Sequence, residues 1–325
     1  MYLFSLFLTG AVFLLILAGG LVTSHQAGLA VPDWPLSYGQ AFPPMVGNVF
    51  WEHGHRMIAG TVGILTLILA LWIQMSEKRS WIKKLAWTAF GAVVLQAVLG
   101  GLTVLYLLPA PISILHACLA QTFFCLVIAI TFFLRPGHSA AFNTCHSEPF
   151  VCHPERPSAR AAKRPSEGSQ GKLREESREI LRQKAPQDDK RRAPHDAVKL
   201  KRLSYTTVGV IYAQLILGAT VRHTSGGHAV VAHVLMAFAV VVHVCMLAGR
   251  VMRLLPNSAL FKPAVGLEIF TMAQFFLGIG SFVLTRMVEQ TYAPSKASVL
   301  FTAVHQTNGA AILGTAVLIA LIMSR

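Results

Sequence analysis

The sequence predicts an all-α integral membrane protein, with eight transmembrane helices forming two pseudo-symmetric four-helix bundles. Three observations carry this prediction. Of 325 residues, 54% are hydrophobic and only 13% charged, where a soluble chain carries about a quarter charged. The apolar residues gather in eight blocks near the ~20 residues that span a bilayer. The blocks divide four and four around one polar segment, and the two sets echo each other.

The blocks are 4–23, 53–74, 85–106, 112–134, 203–221, 228–249, 264–284 and 299–322. Hydrocarbon offers no partner to a bare backbone N–H or C=O, so each block must be helical. Each is roughly twice the length of a barrel strand. The first block has no Lys or Arg before it and is too long for a cleaved signal sequence, so it is read as a spanning helix.

Lys and Arg orient the chain. The 75–84 loop carries Lys78, Arg79, Lys83 and Lys84, and the 250–263 loop carries Arg250, Arg253 and Lys262. The 135–202 segment holds sixteen basic residues. The alternate loops are poor: 25–51 and 107–111 have none, 222–227 has Arg222, and 285–298 has Arg286 and Lys296. This places both termini on the cytoplasmic side of a cell membrane and the 25–51 loop outside. The net charge of +14 then belongs to inside loops facing anionic lipid. No aromatic–basic interleaving or zinc-finger spacing points to nucleic acid. Of five cysteines, Cys118, Cys125 and Cys245 fall in spanning blocks, and Cys145 and Cys152 fall inside. No structural disulfide is expected on that reducing side.

Segment 135–202 is rich in Arg, Lys, Glu, Ser and Pro and cannot bury enough surface to fold. It reads as a basic, disordered cytoplasmic linker with a short helix at "LREESREILRQ". Its Cys145/His146 and Cys152/His153 pairs have zinc-ligand chemistry but no framework around them. Without it the chain has halves 1–134 and 203–325. "LQAVLGGLTVL" (95–105) echoes "AQLILGATVRH" (213–223) and "AQFFLGIGSFVL" (273–284).

The histidines repeat as well. His55 and His233 stand at the outer end of the second helix of each half, and His116 and His305 at the outer end of the fourth. Four positions on, each has a small residue: Ala59, Ala120, Ala237 and Gly309. Positions i and i+4 share a helix face, which leaves room for a flat macrocycle. Haem iron takes axial histidines, and a four-helix bundle can clamp one haem between facing helices. A plainer alternative is a histidine bonded to a neighbouring helix, but the two-by-two recurrence favours ligands. His53 points away from His55. His228 is the rival to His233, although "HRMIAG" aligns with "HVLMAF". His243 reads as a packing residue, and His25 and His223 as exposed helix ends. No HExxH supports a zinc protease.

Glu52 is three residues before His55 on the same face, and desolvation there suits a carboxylate to proton transfer. Its alternative is an interfacial ion pair with Arg56. The second half lacks such an acid, so one haem is expected to react and the other to transfer electrons or support structure. Arg56 suits a haem propionate.

"TSHQAGLAVPDWPLSYGQ" (23–40), "EHGHR" (52–56), "LHACLAQTFF" (115–124) and "AVHQTNGAAIL" (303–313) resemble the haem A synthase family, across everything except 135–202. The resemblance implies an oxidoreductase that converts the C8 methyl of haem O to the formyl of haem A by successive hydroxylations. It implies haem O on His55 and His116, one of them labile so that iron can react, and haem b on His233 and His305. It also implies a catalytic role for Glu52, and haem O synthase and cytochrome oxidase as neighbours in haem supply and use. A homo-oligomer is left open. Asp33 and Trp34 would shape the outer cover of the reactive site, or simply pack the loop. One departure stands out: where many bacterial members carry a cysteine pair, this chain has Val31 and Ser37. Two rivals are a di-haem b-type electron carrier and a haem-binding oxidase assembly factor. A farnesyltransferase needs clustered Asp for magnesium diphosphate, and the spans and outer loops offer only Asp33.

Overall fold

The computed structural model describes residues 1–136, 170–224, 226–288 and 294–324, with backbone only for 170–195. The described regular structure is helical, apart from an isolated bridge between Ser37 and Gln40. The helices are α1 (Tyr2–Ser24), α2 (Asn48–Ser76), α3 (Ser80–Leu105), α4 (Ala110–Phe133), α5 (Gln170–His223), α6 (Gly227–Leu254), α7 (Phe261–Phe282) and α8 (Lys296–Met323). A π-helical turn, Val283–Val288, continues α7. All eight contain a stretch long and apolar enough to cross a membrane; in α5 it is Asp196–His223.

The helices outrun the apolar blocks because their polar ends remain helical in the interface. α2 begins at Asn48, so Glu52, His55 and Arg56 lie on its second and third turns. Pro111 sits in the first turn of α4, where its missing N–H costs nothing. Ser295 caps α8 by accepting from the Ser298 N–H at 3.1 Å. Thr66, Thr271 and Thr307 return their hydroxyls to the carbonyls of Val62, Leu267 and Ala303, which satisfies them without a partner helix.

Large side chains such as Leu3, Phe7, Ile64, Leu235 and Phe276 face outward, as a lipid-facing surface requires. Hydrocarbon supplies no hydrophobic drive between helices, so close packing must hold them together. Leu8, Val12, Leu69, Ile73, Ile82, Phe123, Val127 and Ile130 interlock in the core of the first half. α1 packs on α2, α4 and α8; α4 and α8 also touch; α7 packs on α6 and α8. α8 is therefore the most enclosed span. Small residues make these approaches: Gly20 faces Ala303 and the Gln306 side chain, and Gly314 faces Phe124 and Ile128.

Residues 1–136 and 201–325 form one compact unit, and 137–200 a second. α5 already begins at Gln170, so "LREESREILRQ" lies within a much longer helix than the expected short one. The two Cys–His pairs at 145/146 and 152/153 lie outside the described residues. Cys118, Cys125 and Cys245 are free thiols.

Candidate functional site

The four repeated histidines occupy one kind of place. His55, His116, His233 and His305 lie seven, six, six and nine residues into α2, α4, α6 and α8, at the same end of the bundle. Each imidazole leans on a glycine of the preceding helix. A Cβ at Gly19, Gly100, Gly218 or Gly278 would stand 3.2, 3.1, 3.1 or 3.0 Å from Cε1 of His55, His116, His233 or His305, respectively. Those distances are tighter than ordinary van der Waals contact, so the absent side chain is what admits the ring. In all four rings Nδ1 is buried without a hydrogen-bond partner.

One of the small residues at i+4 differs from expectation. Gly309 is buried against Leu215 and the Gln274 amide, so at least this one admits protein and not a macrocycle. The glycines one helix back are the positions that the sequence reading overlooked. Their signal was present: Gln96–Gly100, Gln214–Gly218 and Gln274–Gly278 share a Gln-x-x-x-Gly spacing within the echoed strings. Those glutamines reach the next helix. Gln96 Nε2 donates to the His116 carbonyl at 2.9 Å, and Gln214 Nε2 donates to the His233 carbonyl at 3.0 Å. Gln274 Nε2 is 3.4 Å from His305 Nε2, and its Oε1 accepts from Asn308 Nδ2 at 2.8 Å.

The imidazoles pair within each half. His233 and His305 have ring centres 6.3 Å apart at 75°. A metal–imidazole bond is about 2 Å; two in line put the ring nitrogens ~4 Å apart and the ring centres ~6 Å apart. The pair therefore fits one iron held from opposite walls. His55 and His116 are near enough to interact electrostatically. Among the described residues no three or more His, Cys, Asp or Glu converge as a metal cage; each pair could offer an iron two imidazoles. His228 is exposed, and it is His233 that meets His305. His243 Nδ1 lies 2.8 Å from the Ala239 carbonyl, a local packing role.

The outer loop closes over α2. Arg56 Nη1 donates to the carbonyls of Asp33 (2.7 Å) and Leu36 (2.9 Å), and Nη2 to Glu52 Oε1 (2.6 Å) and the Val31 carbonyl (3.3 Å). Glu52 Oε2 accepts the Val31 N–H at 2.8 Å. Arg56 thus ties down its own loop, and both Glu52 oxygens are engaged. Buried Ser37 Oγ is 2.8 Å from His53 Nδ1, which gives His53 a partner away from His55. The two positions without cysteine, Val31 and Ser37, are both fully enclosed.

Asp33 accepts the N–H groups of Tyr38 (2.7 Å) and Gly39 (2.8 Å) and so closes the loop on itself. The Gly39 and Tyr38 amides hold its carboxyl below the usual range. Trp34 lies over Gly101 of α3, where a Cβ would come within 2.6 Å of the indole. His25 is half-buried and stacks on Trp51 at 4.1 Å, and His223 is also half-buried, so neither is the exposed helix end expected. Arg222, counted in the sequence only as a loop charge, reaches into the bundle. Its Nη2 donates to Ser24 Oγ at 3.2 Å, while its Nε is buried without a partner.

A multi-pass helical membrane protein with two histidine pairs is the class that fold and site define. Residues 46–150 match the family model COX15-CtaA, described as cytochrome oxidase assembly protein. A protein named "Heme A synthase" from Exiguobacterium sibiricum is 31% identical over 145 residues, 43% of this chain and 48% of its own length. Proteins of that name from Bacillus licheniformis (33%; 38% of this chain, 41% of its own length) and Ruegeria pomeroyi (38%; 37% and 34%) also match. The matched stretch thus spans about half, or less, of these curated relatives. Over that part of its length, the chain is similar to proteins of that name.

Proposed function

We propose that this chain is a haem A synthase of the cytoplasmic membrane with both termini inside. It takes haem O, oxidises the C8 methyl to a formyl group and releases haem A. The observation that carries this reading is the doubled histidine pair, each imidazole seated on a glycine of the preceding helix. A macrocycle gripped from both faces takes a ligand from each wall, and the His233–His305 spacing suits that arrangement. The names of the relatives support haem A chemistry in particular.

In this reading His55 and His116 hold the substrate's iron, and His233 and His305 hold haem b. When bound, haem b supplies one-electron transfer. Turning a methyl into a formyl with oxygen from water releases four electrons and four protons, so an external electron acceptor must take the electrons and the protons must leave a buried site. Glu52 is a buried carboxylate one turn from His55, and its two contacts, Val31 N–H and Arg56, lead outward through the loop. It is the group placed to receive and pass a proton. Arg56, expected to meet a propionate, serves in this reading as the tie that keeps the cover closed. Among the described residues Arg222 is a cation with a buried donor still to offer, and it takes the substrate's carboxylate instead. The farnesyl tail stays in hydrocarbon, as its apolar surface dictates.

The test is co-expression with a source of haem O, followed by chromatography of the extracted haems. Haem A should form with the native chain and vanish with Glu52→Ala. Two tightly held haems with no haem A would instead identify an electron carrier.

A further inference from the structure

The bundle contains its own control experiment. Four helix pairs carry the same glycine–histidine contact, and three of the four add a hydrogen bond between the pair. Gln96 fastens α3 to the His116 carbonyl, and Gln214 fastens α5 to the His233 carbonyl. Gln274 fastens α7 to α8 through Asn308, three residues from His305, and Asn308 also donates to the Phe270 carbonyl at 2.8 Å. Each glutamine stands four residues before the glycine that receives the ring, on the same helix face. In α1 the residue four before Gly19 is Leu15. Leu15 packs into the apolar core of the first half and can donate nothing. Among the described residues no side-chain hydrogen bond joins α1 to α2.

We propose that Leu15 makes His55 the exchangeable ligand, the one of the four that can leave iron while its partner His116 holds the macrocycle in place. This deepens the haem reading of the site and rests on it. The ring of His55 has a glycine seat and an unpartnered Nδ1 like the others, so ring packing does not set it apart. What differs is the helix behind it. A neutral hydrogen bond of this kind contributes on the order of 1 kcal/mol, enough to bias a ligand that must release once per turnover. The outer end of α2 is held by Arg56 to a loop and not to a neighbouring span, so its motion is coupled to that of the cover.

The experiment uses the full chain, purified in detergent from cells that make haem O, reduced with dithionite and exposed to carbon monoxide. Carbon monoxide binds ferrous haem only where an axial ligand yields, and its optical spectrum reports that directly. The native chain should show one reactive haem population and one inert. Leu15→Gln should lower the reactive fraction by roughly two- to tenfold, the range a single hydrogen bond supports, with haem content unchanged. Gln214→Leu should make the inert population reactive by a similar factor. Unchanged carbon monoxide binding in Leu15→Gln, with both haems retained, overturns the proposal. If that variant does not fold, Gln214→Leu decides alone: a second half still inert overturns it. A native chain with no haem overturns the underlying haem reading itself, a result distinct from either.

Discussion

Arg56 Nη1 donates to the Asp33 carbonyl at 2.7 Å, while Nη2 of the same guanidinium pairs with Glu52 at 2.6 Å. One side chain thus binds the outer loop to the helix that carries His55 and also neutralises the buried acid beside it. Removing one partner of a buried pair leaves the other charge uncompensated, at about 3–5 kcal/mol. Arg56→Ala should therefore lower the thermal midpoint of the purified protein markedly. Arg56→Lys keeps the charge without the planar fork and should recover only part of it. Proteolysis within 25–47 should accelerate in both.

The glycine seats give a prediction specific to each half. A side chain at Gly218 meets the His233 ring at 3.1 Å. Gly218→Val should abolish the haem signal of the second half and spare that of the first. Gly100→Val should do the reverse. The readout is the reduced-minus-oxidised spectrum per mole of protein. Loss of both signals from either variant would show that the contact supports the whole bundle and not one site.

How much of this was legible beforehand follows from where each constraint resides. Lipid forbids unsatisfied backbone, so eight blocks had to be eight helices, and only their ends shifted. The four histidines were legible as a set because recurrence links positions far apart in sequence, and each has the same glycine contact in the structure. Gly19 and Gly100 were not, because a ring's neighbour on another helix depends on packing, although the Gln-x-x-x-Gly spacing was in plain view. Arg56 was read toward a propionate; the loop carbonyls it meets in the structure carry no sequence signature. Arg222 was counted as a loop charge for orientation, yet the bundle buries much of it beside Ser24.

Acid should loosen the outer loop and the α2–α3 turn. Amides of Gly39 and Tyr38 hold Asp33 below its ordinary 3.8. Arg79 holds Glu77 down to about 2 from 4.5, and the same arginine donates to the Phe133 carbonyl at 3.1 Å. A depressed carboxyl contributes stability above its unfolded pKa and loses it as pH falls through the folded one. At Glu77 the loss therefore begins near pH 4.5 and is complete only below about 2. The Glu77 pair is half-buried at a short turn, so its share is on the order of 1 kcal/mol. Hydrogen exchange at pH 6 and pH 3, each compared with the intrinsic rate at that pH, should show lower protection of the Tyr38 and Gly39 amides in the acid sample. Asp33→Asn should remove that difference.

Arg222 offers the sharpest separation of stability from binding. Its guanidinium lies between helices with one hydrogen bond, to Ser24, and an unpartnered Nε. Among the described residues no carboxylate pairs with it. A charge in such a place is costly, and replacement by an apolar side chain of similar volume is often neutral or stabilising. If the cation serves only the fold, Arg222→Leu and Arg222→Lys should both behave like the native chain in haem retention. If it awaits a carboxylate of the substrate, the two measurements diverge. Arg222→Leu should match or exceed the native thermal midpoint without haem, yet lose the first-half haem during detergent washing. Loading with the dimethyl ester of haem, whose propionates carry no charge, decides the cause. The native chain should hold the ester about as weakly as Arg222→Leu holds the free acid. Equal retention of acid and ester by the native chain would remove Arg222 from the substrate site.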